Sequence, residues 1–125
     1  MKYHHSKKKH EDNIKAELFL HLRNLGIPCV LEYRHCTPIG QRNCRFDLVV
    51  LDAQKENIIL IVEVKNGPNT IWPDSKQFAR YSKFNVPVWC ITDSRAAKRM
   101  AEQVKHNLDN NLSFASSFKF GIGSA

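Results

Sequence analysis

Three residues, Asp47, Glu63 and Lys65, have types and spacing that could support chemistry. Asp47 lies in the apolar segment "CRFDLVVLD" (44–52), and Glu63 and Lys65 lie two residues apart in "NIILIVEVK" (57–65). An unpaired charge taken into an apolar interior costs several kcal/mol, so such residues are rare in buried segments without partners. Two carboxylates on neighbouring strands repel each other unless a cation lies near them, and carboxylate oxygens are ligands that Mg²⁺ prefers. The residues therefore indicate a candidate site for a divalent cation.

The relative position of the two acids depends on how the strands pair. If residues 54–56 form a three-residue hairpin loop, Asp47 lies directly opposite Glu63 on one face of the ladder. The predicted pairs on this face are Asp47–Glu63, Val49–Ile61 and Leu51–Ile59. Those on the other face are Phe46–Val64, Leu48–Val62 and Val50–Leu60. A shift of one residue would place the acids on opposite faces. The alternative to a site is that these charges are solvated strand ends joined by a weak surface ion pair.

The segments that must position these residues predict an α/β domain. Both faces of the hairpin are apolar over most of their length, which favours a sheet that lies between helices. The predicted order is helix, three strands, helix, strand and helix, assigned to residues 11–25, 28–37, 44–52, 57–65, 73–84, 86–92 and 93–108. Asp93 is the predicted N-cap of the last helix, and Ala97, Met100, Ala101 and Val104 are its predicted buried face.

The domain organisation is predicted from length and local composition. A chain of 125 residues fits one domain, which we assign to residues 11–110. Residues 1–10, "MKYHHSKKKH", are basic without apolar periodicity and predict a mobile arm. The tail, residues 111–125, places Leu112, Phe114, Phe118 and Phe120 on a period of two, which predicts an edge strand or a contact in a homodimer or higher homo-oligomer.

Charge and cysteine usage narrow the class of partner. The net charge of +7 favours a polyanion such as nucleic acid. No signal-peptide pattern and no membrane-length apolar stretch are present, so we expect a cytoplasmic protein, nucleoid-associated if it binds DNA. The four cysteines lack CxxC spacing and predict reduced, mostly buried thiols. A zinc site built from His35, Cys36 and Cys44 is the less favoured alternative.

Taken together, these motifs resemble the PD-(D/E)xK nuclease superfamily. Asp47 in "RFDLVVLD" is followed by "EVK" (63–65) on the next strand, and "QFARY" (77–81) resembles the QxxxY element of the RecB-type branch. The resemblance covers residues 11–105. It departs from the family at Phe46, which stands where the motif has its proline. The resemblance implies a restriction-endonuclease-like core, a mixed sheet flanked by helices.

The resemblance also implies a role for each site residue. Asp47, Glu63, the backbone carbonyl of Val64 and Glu17 on the leading helix would hold Mg²⁺, for which Mn²⁺ could substitute. Lys65 would orient the attacking water and stabilise charge on the phosphate. Gln77 and Tyr81 are one turn apart on a helix face and would hold the metal-bound water or a phosphate by hydrogen bonds.

The function expected from this resemblance is a magnesium-dependent endonuclease acting on DNA. Basic residues would contact the phosphates, and the candidates are Lys7, Lys8, Lys9, Arg34, Arg42, Arg45, Lys76, Arg80 and Lys83. The alternative is a nucleic-acid-binding module on the same fold that has no catalytic activity. The sequence does not distinguish homing, restriction, resolvase and repair activities.

Overall fold

The structure is a computed structural model that describes residues 2–35, 44–65, 86–114 and 117–120. These residues form helix α1 (Lys2–Asn24), strands β1 (Cys29–His35), β2 (Cys44–Leu51), β3 (Ile58–Val64) and β4 (Val88–Ile91), a 3-10 turn (Ser94–Ala96), helix α2 (Ala97–Asp109) and strand β5 (Ser117–Phe120). The predicted helix at 73–84 lies outside the described residues. Within the described part of the chain, no helix is both long enough and apolar enough to cross a membrane.

The five strands form one mixed sheet in the order β1-β2-β3-β4-β5. The first three strands are antiparallel neighbours, and β4 and β5 join in parallel. The predicted α/β class with a mixed sheet is therefore confirmed. Residues 117–120 form an edge strand beside β4, which is one of the two alternatives predicted for the tail.

Two apolar clusters flank the sheet. The larger one packs α1 and α2 against the sheet, and its central members are Ile14, Leu18, Leu22, Leu48, Val62, Trp89, Met100 and Val104. The predicted inward face of α2 is confirmed, because all four of its residues are buried. The smaller cluster contains Phe46, Val49, Ile61 and Val88 on the other side. Burial on both faces explains why β3 is almost entirely aliphatic.

Helix α1 is longer than the sequence pattern predicted. It begins at Lys2, within the segment for which a mobile arm was expected, and among the side chains described from His10 onward the first buried one is Ile14. Residues 2–10 contain neither proline nor glycine, and lysine is a strong helix former, so the helix can continue without an apolar face. Apolar periodicity detects only the part of a helix that packs.

The β2–β3 hairpin has the predicted register near its centre. Leu48 pairs with Val62, and Val49 pairs with Ile61. The register then shifts, and Leu51 pairs with Ile58 rather than Ile59. Asp52 explains this difference, because its carboxylate accepts hydrogen bonds from the backbone of Glu56 and from the side chain of Asn57. The loop is thus closed by an aspartate-centred turn.

Candidate functional site

The two predicted acids meet where the paired part of β2 and β3 ends. The backbone ladder ends at the Leu48–Val62 pair. Beyond it, the acceptor is a side chain, because the Val64 N–H donates to Asp47 Oδ2 at 2.8 Å. The Asp47 N–H points to Glu63 Oε2 at 3.4 Å. Asp47 is half-buried and Glu63 is only 4% exposed. The Glu63 carboxyl group, which is shielded from water, also interacts with the Asp47 side chain.

A local break in the sheet turns Asp47 towards α1. Leu31 and Leu48 pack with the larger cluster, but Tyr33 and Phe46, two residues along each strand, belong to the smaller cluster. The β1–β2 ladder skips the intervening pair, Glu32 and Asp47, and Glu32 has a φ of 52°. A positive φ is unusual for a residue with a side chain, and such backbone strain is often found at functional sites.

This break corrects one part of the predicted register. Asp47 was expected to share a face with Val49, whereas Val49 lies in the smaller cluster and Asp47 forms an ion pair with Lys15 of α1. Phe46 was expected to share a face with Leu48 and instead stacks on Tyr33, with ring centroids 6.4 Å apart. Simple alternation fails here because both strands change face at the same step.

The contact between the acids changes the protonation of Glu63. Burial raises the pKa of Glu63 to about 9, and the hydrogen bond with Asp47 and the negative charge of Asp47 act in the same direction. The hydrogen bond from the Asp47 N–H and the positive charge of Lys65 act in the opposite direction and lower the pKa of Glu63. Near neutral pH the pair therefore holds a proton, which a nearby cation could displace.

Glu11 and Lys65 belong to the same group of charges. Burial raises the pKa of Glu11, and the negative charge of Asp47 raises it further. The positive charges of Lys65 and Lys15 lower it. The backbone of Lys65 is fixed to β4, because its N–H donates to the Ile91 carbonyl at 3.0 Å. Helix α1, β2 and the end of β3 thus bring three acids and a lysine together.

Lys15 forms ion pairs with three acidic side chains at the site. Its side chain is 11% exposed, and its ammonium lies 3.4 Å from Asp12, 3.8 Å from Asp47 Oδ1 and within hydrogen-bonding distance of Glu32. Burial alone would lower the pKa of Lys15, but the hydrogen bond with Glu32 and the charges of Asp47 and other acids raise it overall. Lys15 therefore stays charged beside Asp47.

Two arginines lie near the acids on β1 and β2. Arg34 and Arg45 are directly opposite each other in the β1–β2 ladder, and both are exposed. Arg45 donates to Glu32 at 3.0 Å. Cations placed opposite each other on a sheet repel, so an anionic partner bound there would relieve the repulsion.

Glu17, the predicted helical ligand, lies elsewhere on α1. It is exposed, whereas Glu11 is half-buried and responds to Asp47 and Lys65. At 3.6 residues per turn, the two glutamates flank the buried Ile14 at about 60° on opposite sides. The structure thus brings Asp47, Glu63 and Lys65 close together, and on α1 it places Glu11 rather than Glu17 near Asp47 and Lys65.

The other predicted site residues, or their side chains, lie outside the described part of the chain. Gln77 and Tyr81 lie outside the described residues, as do the candidate phosphate contacts Arg42, Lys76, Arg80 and Lys83. The backbone of Lys7, Lys8 and Lys9 lies in α1, and their side chains are outside the described part. Cys29 and Cys90 are buried, as expected for structural thiols, whereas Cys36 of the alternative zinc site is outside the described residues.

Sequence reasoning missed Glu11, Lys15 and Glu32. One signal was available in α1, because Lys15 adjoins the apolar stripe at Ile14 and follows Glu11 by one turn. For Glu32 the sequence offered no signal, because its role depends on the pairing with β2.

The described residues contain no group of three or more histidine, cysteine, aspartate or glutamate side chains arranged to hold a metal ion. The site offers a carboxyl pair instead, with a third carboxylate nearby.

The chain was compared with known proteins at three levels. No family model, no curated protein and no solved structure matches it.

Proposed function

We propose that this protein is a magnesium-dependent nuclease that hydrolyses phosphodiester bonds in DNA and has a restriction-endonuclease-like core. The observation that carries the proposal is the contact between the Asp47 and Glu63 carboxyl groups beside Lys65. Placing two acids together at the end of a hairpin costs free energy unless a cation uses them. The antiparallel β1-β2-β3 unit followed by a parallel strand is compatible with that core.

The donor groups fit a hard divalent cation. Magnesium commonly binds through one or two carboxylates and keeps several water molecules, so a two-carboxylate site is sufficient. Asp47 and Glu63 would supply these oxygens, with the Val64 carbonyl and Glu11 as additional donors. Mn²⁺ accepts the same oxygen ligands. Such an ion would supply Lewis acidity at the phosphate and lower the pKa of a bound water.

The chain's own residues would bind and orient the substrate. The Val64 N–H fixes Oδ2 of Asp47, and the other carboxylate oxygen, Oδ1, lies 3.8 Å from the Lys15 ammonium. Lys65, held on β4 through its backbone, would place a positive charge where the phosphate gains negative charge. Glu11 would accept a hydrogen bond from a water molecule at the rim.

The charge distribution supports a nucleic-acid substrate. The chain has a net charge of +7, and the opposed pair Arg34 and Arg45 begins two residues from Glu32 and Asp47. Two residues along a strand correspond to about 7 Å, so phosphates bound by the arginines would lie close to the acidic pair. A DNA strand bound to both arginines would pass beside the acidic pair.

The test is cleavage of labelled supercoiled, linear and branched DNA with Mg²⁺ or with EDTA. We expect Mg²⁺-dependent cleavage that falls at least 100-fold in Glu63→Ala and Lys65→Ala. Glu11→Gln should reduce cleavage at least 10-fold, whereas Glu17→Gln, its matched control on the exposed side of α1, should change it less than twofold. Cleavage that persists in both alanine variants would reject the proposal. Circular dichroism would verify that each variant is folded.

A non-catalytic nucleic-acid-binding module is the second candidate, and the ion pair between Lys15 and Asp47 favours it. For this second function, the positive charges of Lys15 and Lys65 permanently balance the negative charges of the acids, so no metal ion is required. Calorimetric titration with Mg²⁺ separates the two functions. A site-specific binding heat that is lost in Asp47→Asn supports the nuclease, and DNA binding without such heat supports the module.

A further inference from the structure

One side chain of α1 bridges the break in the β1–β2 ladder. The ladder skips Glu32 and Asp47, and the Lys15 ammonium contacts both of them, donating to Glu32 Oε1 and lying 3.8 Å from Asp47 Oδ1. The Lys15 side chain is only 11% exposed, and its neighbour Ile14 is fully buried, so α1 is packed on the sheet at this point. An ion pair from the helix thus lies where the pairing between the strands is missing.

The backbone of Glu32 needs contacts that hold it in place. Its φ of 52° is unfavourable for a residue with a side chain, and such a conformation persists only where the surroundings determine it. Both carboxylate oxygens of Glu32 are engaged, Oε1 by Lys15 and Oε2 by Arg45. Lys15 is the partner that comes from another layer of the fold, so its contact can fix the strand relative to α1.

The break also decides where the Asp47 carboxylate lies. With uninterrupted alternation, Asp47 would share a face with Val49, which belongs to the smaller cluster. Instead, Asp47 Oδ1 lies beside Lys15, and Oδ2 accepts from the Val64 N–H at 2.8 Å. The orientation of this carboxylate therefore coincides with the contact that bridges the break.

We propose that Lys15 is a positioning residue which, together with Glu32, holds the break in the ladder and thereby orients the Asp47 carboxylate on the Val64 N–H. The consequence for cleavage rests on the proposed function, in which Asp47 binds the metal ion. The positioning itself is measured without metal or DNA, so the two proposals fail separately.

The experiment follows hydrogen exchange of the Val64 amide by nuclear magnetic resonance in EDTA. Lys15→Met should raise the exchange rate of Val64 about tenfold, the weight of one hydrogen bond to a charged group. The neighbouring Lys65 amide, which donates to the Ile91 carbonyl, should exchange as in the wild type. Lys15→Arg keeps the charge and should restore most of the protection of Val64. Lys105→Met, which removes an exposed ion pair on α2, should leave Val64 unchanged.

A second variant avoids substitution of a buried side chain. The Glu32 side chain is 43% exposed, and asparagine adopts a positive φ more readily than glutamate but lacks the carboxylate that pairs with Lys15. Glu32→Asn should therefore also raise the exchange rate of Val64. Unchanged Val64 exchange in folded Lys15→Met or in Glu32→Asn would overturn the inference, as would an equal rise at Lys65.

Cleavage gives the functional readout. If the wild type cleaves DNA with Mg²⁺, Lys15→Met should lower the cleavage rate and Lys15→Arg should recover it. Unchanged cleavage in Lys15→Met would overturn the functional part of the inference. A wild type that does not cleave DNA would reject the proposed function, and the exchange of Val64 would still decide whether Lys15 positions Asp47.

Discussion

Replacing Glu63 by glutamine should stabilise the metal-free protein at neutral pH. The folded state raises the pKa of Glu63 from 4.5 to about 9, so at pH 7.5 it retains a proton that the unfolded chain has lost. Each pH unit above 4.5 costs about 1.4 kcal/mol. Because Glu63 is 4% exposed, water screens little of this effect. Glutamine stays neutral and keeps an oxygen for the Asp47 N–H, so we expect a gain of up to about 4 kcal/mol.

The sign of the pH dependence follows from the same shift. Between pH 4.5 and 9 the folded state binds more protons than the unfolded state, so the contribution of Glu63 to stability falls as pH rises. This loss levels off above about pH 9. The groups that face Glu63 or its partner are Asp47 on β2, Lys65 after β3, and Glu11 and Lys15 on α1.

The assay is urea unfolding at pH 5.5 and at pH 8.5 in EDTA, followed by tryptophan fluorescence. The advantage of Glu63→Gln over the wild type should grow by about 4 kcal/mol between these pH values. Glu102→Gln, on the exposed side of α2, should change stability by less than about 0.5 kcal/mol at either pH. Equal pH dependence in Glu63→Gln and the wild type would refute the reasoning.

Three further predictions concern the metal, the DNA and the core. Binding of Mn²⁺ at pH 7.5 should release about one proton in the wild type and none in Glu63→Gln, because the metal must displace the Glu63 proton. Calorimetry in two buffers of different ionisation enthalpy measures the number of protons released. Equal proton release in the two proteins would contradict the prediction. Arg45→Gln should lower the slope of log affinity against log salt by about 1 when DNA binding is measured by fluorescence anisotropy, and an unchanged slope would exclude Arg45 as a phosphate contact. Leu60→Ala should lower the free energy of unfolding in urea by about 2–5 kcal/mol, because Leu60 is fully buried. Leu20→Ala, at a 59% exposed position, serves as the control. Equal losses of stability in the two variants would show that the core is assigned incorrectly.

The hairpin shows how far sequence patterns reach and where they stop. The pairs Leu48–Val62 and Val49–Ile61 were predicted because a period of two fixes which residues share a face. The same rule misplaced Phe46 and Asp47, because it assumes that alternation continues without interruption. The break opposite Glu32 depends on contacts from β1 and α1, which are distant in sequence. A local pattern carries no information about such partners.

The sequence by itself determined the α/β class and the buried face of α2, and it singled out the three residues at the centre of the candidate site, because these follow from apolar periodicity and from charges in aliphatic strands. The tertiary structure alone decided which flank of α1 faces the sheet, and with it the choice of Glu11 over Glu17. It also decided that Lys15 and Glu32 lie beside Asp47. The physical reason is that a helix pattern identifies its buried stripe, whereas the neighbours on each side of that stripe are set by packing between distant segments.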